Sequence, residues 1–330
     1  MAREWRAFAL ACTLLCAACA TVEPQPDTDA LAKRATKADA AALQELERRA
    51  NGGETLAQHY MGMVYITGRG ISGPNDARAL EWFQRAAEAG HAPSAHNVAV
   101  IRERNKGALR DPAEALRWYR RAAELGYARA QANLGRLLVR GDGDPAEGRA
   151  WLEKAAAQGD PLGMLELGLL DLEGKGVPRD EAKGAALVQA AAERGEREAY
   201  YHLALLYGTG RGVAKDDALG LQWMRKAADA GHAEAQYFLA AVLTRGLYGE
   251  RRDLAKAAEL LRSAGRQGHA NAQYELGLAY SEGRGVPRDS TEALGWFREA
   301  ARNGHGEASI IVMRLESAAR ERGAAQEKKN

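Results

Sequence analysis

The sequence predicts an all-α protein: an α-solenoid of about seven helix-turn-helix repeats with a half-repeat cap at each end. Three observations carry that expectation. Near-copies such as "EWFQRAAEAGH" (81–91) and "RWYRRAAELGY" (117–127) recur 36 residues apart, and self-similarity at that period marks stacked supersecondary units. Small and apolar residues recur within each copy at helical spacing. An Asn or Asp stands at one fixed place in every copy, where a helix needs its N-cap. Abundant alanine, 36 glycines and only 4 phenylalanines suit closely packed helices better than a sheet of β-branched residues.

The N-terminus comes first. Arg3 and Arg6 precede an apolar run from Ala7 to Ala18, too short to span a bilayer comfortably and of the form of an export signal. All 3 cysteines, Cys12, Cys16 and Cys19, lie here, which leaves the rest of the chain no disulfide and no thiolate metal site. The signal is expected over 1–18, a flexible tether over 19–37, a capping helix over 38–53, repeats over 54–305, a C-terminal capping helix over 306–316 and a polar tail over 317–330.

Each repeat is framed by a closing glycine: Gly53, Gly90, Gly126, Gly159, Gly195, Gly231, Gly268 and Gly304. Four residues on, the position is always small (Ala57, Ser94, Ala130, Gly163, Ala199, Ala235, Ala272, Ala308); eight and eleven on, it is apolar. Spacings of four, three and seven place these side chains on one stripe of a helix, here helix A. Fifteen residues before the next glycine stand Asn75, Asp111, Asp144, Asp180, Asp216, Asp253 and Asp289, each expected to cap a second helix, B. Pro112 and Pro145 follow two of these caps, with Glu114 and Glu147 in capping-box positions. Seven past each cap come Trp82, Trp118, Trp151, Leu187, Trp223, Leu260 and Trp296, expected in the core. Helix B ends at the glycine, which supplies a left-handed cap. All length variation falls between helices A and B, where a solvent-exposed loop tolerates it.

The pattern small-x3-LG-x2-Y, "G-x-G-V-x-x-D" and W-x3-AA-x2-G closely resembles the Sel1-like repeat, a relative of the tetratricopeptide repeat. It is clearest in Ala272–His305 and Ala199–His232; Arg102 and Asp171 depart from the usual tyrosine, and the third loop, "RGDGD", is short. The resemblance implies a right-handed solenoid that binds partner proteins and is not an enzyme. "LLCAAC" similarly resembles a bacterial lipobox, with Cys16 where leucine is usual. That implies lipidation of Cys19 and, since Ala20 is not aspartate, an outer-membrane lipoprotein facing the periplasm. Ordinary cleavage after Ala20 is the competing reading and would give a secreted or periplasmic effector or regulator. Some cysteine-rich relatives are described as penicillin-binding or β-lactam-hydrolysing, and an envelope hydrolase of β-lactam or peptidoglycan-like substrates is the enzymatic alternative, weakened by repeats without cysteine. Envelope relatives include scaffolds for exopolysaccharide export.

Other function classes find little support. With 46 basic and 44 acidic residues the net charge is +2, without the basic excess that nucleic acid requires. Glycine strings such as "GTGRG" lack the βαβ context of a phosphate loop. No metalloprotease or serine-nucleophile motif occurs, and no cofactor or metal is expected. His91, His232, His269 and His305 recur after the closing glycine and read as connectors. The position that varies is six past the glycine: His59, His96, Ala132, Leu165, Tyr201, Tyr237, Tyr274. In the related tetratricopeptide fold this face lines the concave groove. His59, His96 and the three tyrosines are therefore candidate contacts for an envelope protein or peptide; packing between adjacent A helices is the other reading. The chain is expected to act as a monomer held to the membrane by its N-terminal lipid.

Overall fold

A computed structural model describes residues 27–105, 107–141, 143–174 and 178–327. The expected signal and the candidate Cys19 lie outside them. The class is all-α, with 17 α-helices and no strand among the described residues. Helices α1 (Thr28–Ala35) and α2 (Ala40–Asn51) precede seven A/B pairs. These are α3/α4 (Thr55–Thr67, Asp76–Glu88), α5/α6 (Ala92–Arg104, Pro112–Glu124), α7/α8 (Ala128–Arg140, Pro145–Ala157) and α9/α10 (Pro161–Glu173, Glu181–Glu193). The series continues with α11/α12 (Arg197–Thr209, Asp217–Asp229), α13/α14 (Ala233–Arg245, Leu254–Arg266) and α15/α16 (Ala270–Glu282, Ser290–Arg302), and ends in α17 (Gly306–Glu327). Contacts divide the chain into two compact units, Met1–Ala130 and Gln131–Asn330.

All seven expected caps are formed. The side chains of Asn75, Asp111, Asp180, Asp216 and Asp253 accept the backbone N–H three residues on, Asp144 the one two residues on, and Asp289 both. Every cap but Asp144 is also seen to tie the pair together: its own N–H donates to the carbonyl twelve past the closing glycine, as in Asp216 to Tyr207 (2.9 Å) and Asp289 to Tyr280 (2.9 Å). Asp111 N–H goes likewise to Arg102, so Glu114 is not a capping-box partner there. Instead Glu114 and Glu147 accept the indole N–H of Trp118 (3.3 Å) and Trp151 (3.2 Å), one turn on.

The core corrects one expectation. Of the repeat tryptophans only Trp82 is buried; Trp118, Trp151, Trp223 and Trp296 are half-buried. Arg85, Arg121, Lys154 and Lys226 lie over the faces of Trp82, Trp118, Trp151 and Trp223 at 3.9–5.3 Å from the ring centroids. The fully committed core residue is the next one along helix B: Phe83, Tyr119, Leu152, Val188, Met224, Leu261 and Phe297, all buried. It explains the small position nine past the glycine, since a Cβ on Gly62 would sit 2.5 Å from the Phe83 ring and one on Gly277 2.7 Å from Phe297. Successive repeats are joined by buried glutamines. Gln58, Gln236 and Gln273 donate to the carbonyls of Ala50, Ala228 and Gly265 at the end of the preceding B helix. Gln236 and Gln273 accept in turn from Gln267 and Asn303 at the end of the next. The buried amides of Gln236 and Gln273 are thus satisfied on both ends, whereas Gln58 Oε1 accepts no hydrogen bond among the described residues.

Both ends of the array differ from expectation. The tether expected through residue 37 is helical over Thr28–Ala35, with Leu31, Ala32 and Ala35 buried against Leu46, Met61 and Val64. Asp27 caps it, and Tyr60 donates to Asp29 at 2.5 Å. The N-terminal cap is therefore a two-helix hairpin rather than one helix. At the other end α17 continues to Glu327, well into the segment expected to be a polar tail. The departures from the repeat pattern are paired charges: Arg102 lies 2.7 Å from Glu114, and buried Asp171 lies 2.8 Å from Arg149 and 3.4 Å from Lys183.

Candidate functional site

Where the position six past the closing glycine is aromatic, its ring pairs with the residue that opens the next A helix. Tyr201, Tyr237 and Tyr274 stack on His232, His269 and His305 with centroids 4.3, 4.8 and 4.1 Å apart. Those histidines are not idle connectors. Each uses Nδ1 to accept the backbone N–H three residues on, at Ala235, Ala272 and Ala308, and so caps its helix. Glu198 lies 3.5 Å from Nε2 of His232, and Glu234 lies 2.8 Å from that of His269. His96 swaps the partners, lying 5.3 Å from Tyr127. His59 lies 4.7 Å from His91, and Ser94 Oγ is 2.8 Å from Nδ1 of both. One hydroxyl proton can go to only one of the two rings, so at least one histidine donates from Nδ1 to the hydroxyl oxygen.

Electrostatics follow from this packing. Burial, then the neighbouring His91, lowers His59 to about 4. Burial also lowers His91 and His202 and raises Tyr201 and Tyr237. A hydrogen bond to Glu307 pushes Tyr274 up to about 12. The bond from His232 holds Glu198 low. Each tyrosine therefore has one face committed to a histidine.

Clefts lie one residue further, beside position seven. Between α7 and α9 a cleft of about 380 Å³ is lined by Val139, Arg140, Glu166, Leu169 and Glu173; between α13 and α15 one of about 310 Å³ is lined by Tyr237, Thr244, Arg245, Glu275 and Leu278. Arg140 Nη2 donates to both oxygens of Glu166 at 2.9 and 2.8 Å, yet burial still raises the Glu166 carboxyl. A cavity of about 190 Å³ beside Phe238 completes the series. Position seven reads Tyr60, Asn97, Asn133, Glu166, His202, Phe238, Glu275. It takes aromatic, amide, acidic and imidazole side chains along the array, and that signal was available in the sequence beside the tyrosine row.

Seven consecutive matches to the Sel1 repeat model cover residues 55–91, 92–127, 128–160, 161–196, 197–232, 233–269 and 270–305. The chain belongs to the Sel1 repeat family. It is similar to the crystal structure of a Sel1 repeat protein from Oxalobacter formigenes, with 29% identity, a TM-score of 0.63, and coverage of 88% of this chain and 87% of that one. It is also similar to a protective antigen present in uropathogenic Escherichia coli strains displaying an SLR fold: 31% identity, TM-score 0.59, 83% of this chain and 59% of that one. No curated protein sequence matches the chain. Sel1 repeat proteins are typically protein-interaction scaffolds, and their fold is generally non-catalytic. Among the described residues of this Sel1 repeat protein no cluster of three metal-ligating side chains occurs, and no helix is long and apolar enough to cross a membrane.

Proposed function

We propose that this Sel1 repeat protein is a non-catalytic adaptor in the bacterial envelope, gripping an extended or helical segment of a partner protein along its A helices. One observation carries the reading: position seven varies in chemical class along the array while the caps stay Asn or Asp and the core stays apolar or aromatic, and clefts open beside it at Glu166 and Glu275. Side chains of different class on a regular scaffold are what reading successive residues of a partner requires. The lipobox resemblance supports an anchor at Cys19 and an outer-membrane position facing the periplasm. An export or polysaccharide-secretion assembly is the setting that resemblance favours.

The test is crosslinking in native membranes, comparing wild type with Cys19→Ala and with a double variant, Glu166→Ala and Glu275→Ala. Mass spectrometry identifies the N-terminal residue and the captured proteins. A lipidated Cys19, together with one partner lost in the double variant but not on scrambling surface charge on the B helices, is the expected result. A chain starting at Thr21, or capture indifferent to Glu166 and Glu275, would overturn the anchor or the face respectively.

A further inference from the structure

Three breaks in the repeat rule converge on one cavity. The first two concern the contact between position thirteen of helix A and position four of helix B. Where helix B carries Gly148 or Gly184 there, helix A supplies Val139 or Leu172 to fill the space: a Cβ on either glycine would lie 2.7 Å from that side chain. The remaining repeats, with one exception, have alanine on helix B. The exception is the fifth, where both positions are glycine, Gly208 and Gly220. A Cβ on Gly208 would meet nothing within 4 Å.

The third break is in the next repeat's loop. Gly70, Gly212 and Gly285 have φ of +81°, +72° and +75° and press so closely on a preceding helix that a Cβ would lie 2.0–2.1 Å from a carbonyl oxygen. In Gly212 and Gly285 that oxygen belongs to the residue after the cap, Glu181 or Leu254. The sixth repeat has Tyr248 instead, still left-handed at φ 55°. A tyrosine cannot make that approach to the corresponding residue, Asp217, and left-handed backbone is costly for a bulky residue. It lines a cavity with Asp217 instead, its ring 6.2 Å from Phe238 and 54% exposed.

The cavity between α11, α12 and Phe238 measures about 190 Å³, with Leu205, Leu221, Met224, Phe238 and Tyr248 as its apolar walls. A dry apolar cavity of roughly 150 Å³ takes a benzene ring. Two aromatic walls and a thioether favour an aromatic occupant. Asp217 stands at the mouth as the one charged lining residue, 3.3 Å from exposed Lys215, and it follows the cap carboxylate Asp216. The mouth is therefore net negative. Leu205, 40% exposed, makes the cavity continuous with the A-helix face of the proposed function.

We propose that this cavity is the anchor pocket of that face, receiving one aromatic side chain of the partner with a basic residue next to it. The proposal rests on the adaptor reading for its partner but predicts a pocket that is measurable alone. The experiment titrates the full chain with N-acetyl-phenylalanyl-argininamide while observing ¹³C-methyl resonances of Leu205, Leu221 and Met224. Saturable shifts confined to these methyls are expected, and Asp217→Asn should weaken this probe at least threefold while leaving N-acetyl-phenylalaninamide unchanged. Gly208→Leu recreates the Leu172–Gly184 pairing already present one repeat earlier, so the variant should fold, melt higher and lose at least tenfold in probe affinity. Absence of saturable shifts in the wild type, or shifts that survive in a folded Gly208→Leu, would overturn the pocket. An envelope partner held equally by wild type and Gly208→Leu would also overturn it, and would leave the adaptor standing.

Discussion

At the scale of single residues, Ser94 shows how a polar group enters a slot reserved for small apolar ones. It replaces alanine at the helix A contact and is fully buried, but two histidine rings hold its hydroxyl. Burial, and the closeness of the two rings, favour the neutral form. His59 falls from 6.5 to about 4 on folding, so as pH drops below about 6.5 the unfolded chain takes up a proton that the folded chain refuses. Stability should therefore decline between about pH 6.5 and pH 4, by up to roughly 3 kcal/mol for this group. Urea unfolding at several pH values checks it, and His59→Leu should flatten the profile. The caps give a second prediction: Asp289→Ala, which releases two backbone N–H groups, should cost about 1 kcal/mol. These caps were fully legible in the sequence because a cap is a local bargain between a side chain and its own next turn. The histidine caps were not, since each also answers to a tyrosine some thirty residues earlier.

Single helices show where periodicity misleads. Positions seven and eight of helix B are about 100° apart, and both are apolar, so either could face helix A. The more uniform position, tryptophan, drew the core assignment. The position that varies from valine to phenylalanine is the one buried. Phe297→Ala should therefore cost about 3–5 kcal/mol, whereas Lys226→Ala, which removes only the cation over Trp223, should cost under about 1 kcal/mol; denaturant midpoints separate the two. Helix α1 was missed for a different reason. Its eight residues, "TDALAKRA", are too few and too polar to form a stable helix alone, and only burial of Leu31 and Ala35 against α2 and α3 accounts for it. Leu31→Ala should accelerate amide exchange in α1 well before it affects α4.

Across the whole molecule, a repeat array draws stability from nearest neighbours, so each unit should open from where a neighbour is missing. In Gln131–Asn330 that place is α17, where Ile310, Met313 and Leu315 stand 50%, 70% and 44% exposed on a helix with no B partner. Hydrogen exchange should show protection falling along α17 while the amides around Leu203 and Leu206 remain protected; uniform protection would contradict the nearest-neighbour picture. The repeat count, the caps and the loop positions could all be read from the chain because they recur. The face that varies could be read only in part. The tyrosines at position six each give one face to a histidine, and Tyr237 also lines the cleft at Glu275; the other openings lie beside Glu166 and Phe238.

The ordered α1 hairpin also alters what a lipid on Cys19 would do. Only seven residues, 20–26, separate that cysteine from the cap of α1 at Asp27, and the eight residue-to-residue steps reach at most about 28 Å when drawn taut. Such a leash is shorter than a long helix. The first repeat would be moored to the bilayer surface rather than trawling the periplasm, and a partner would have to dock at the membrane to be held.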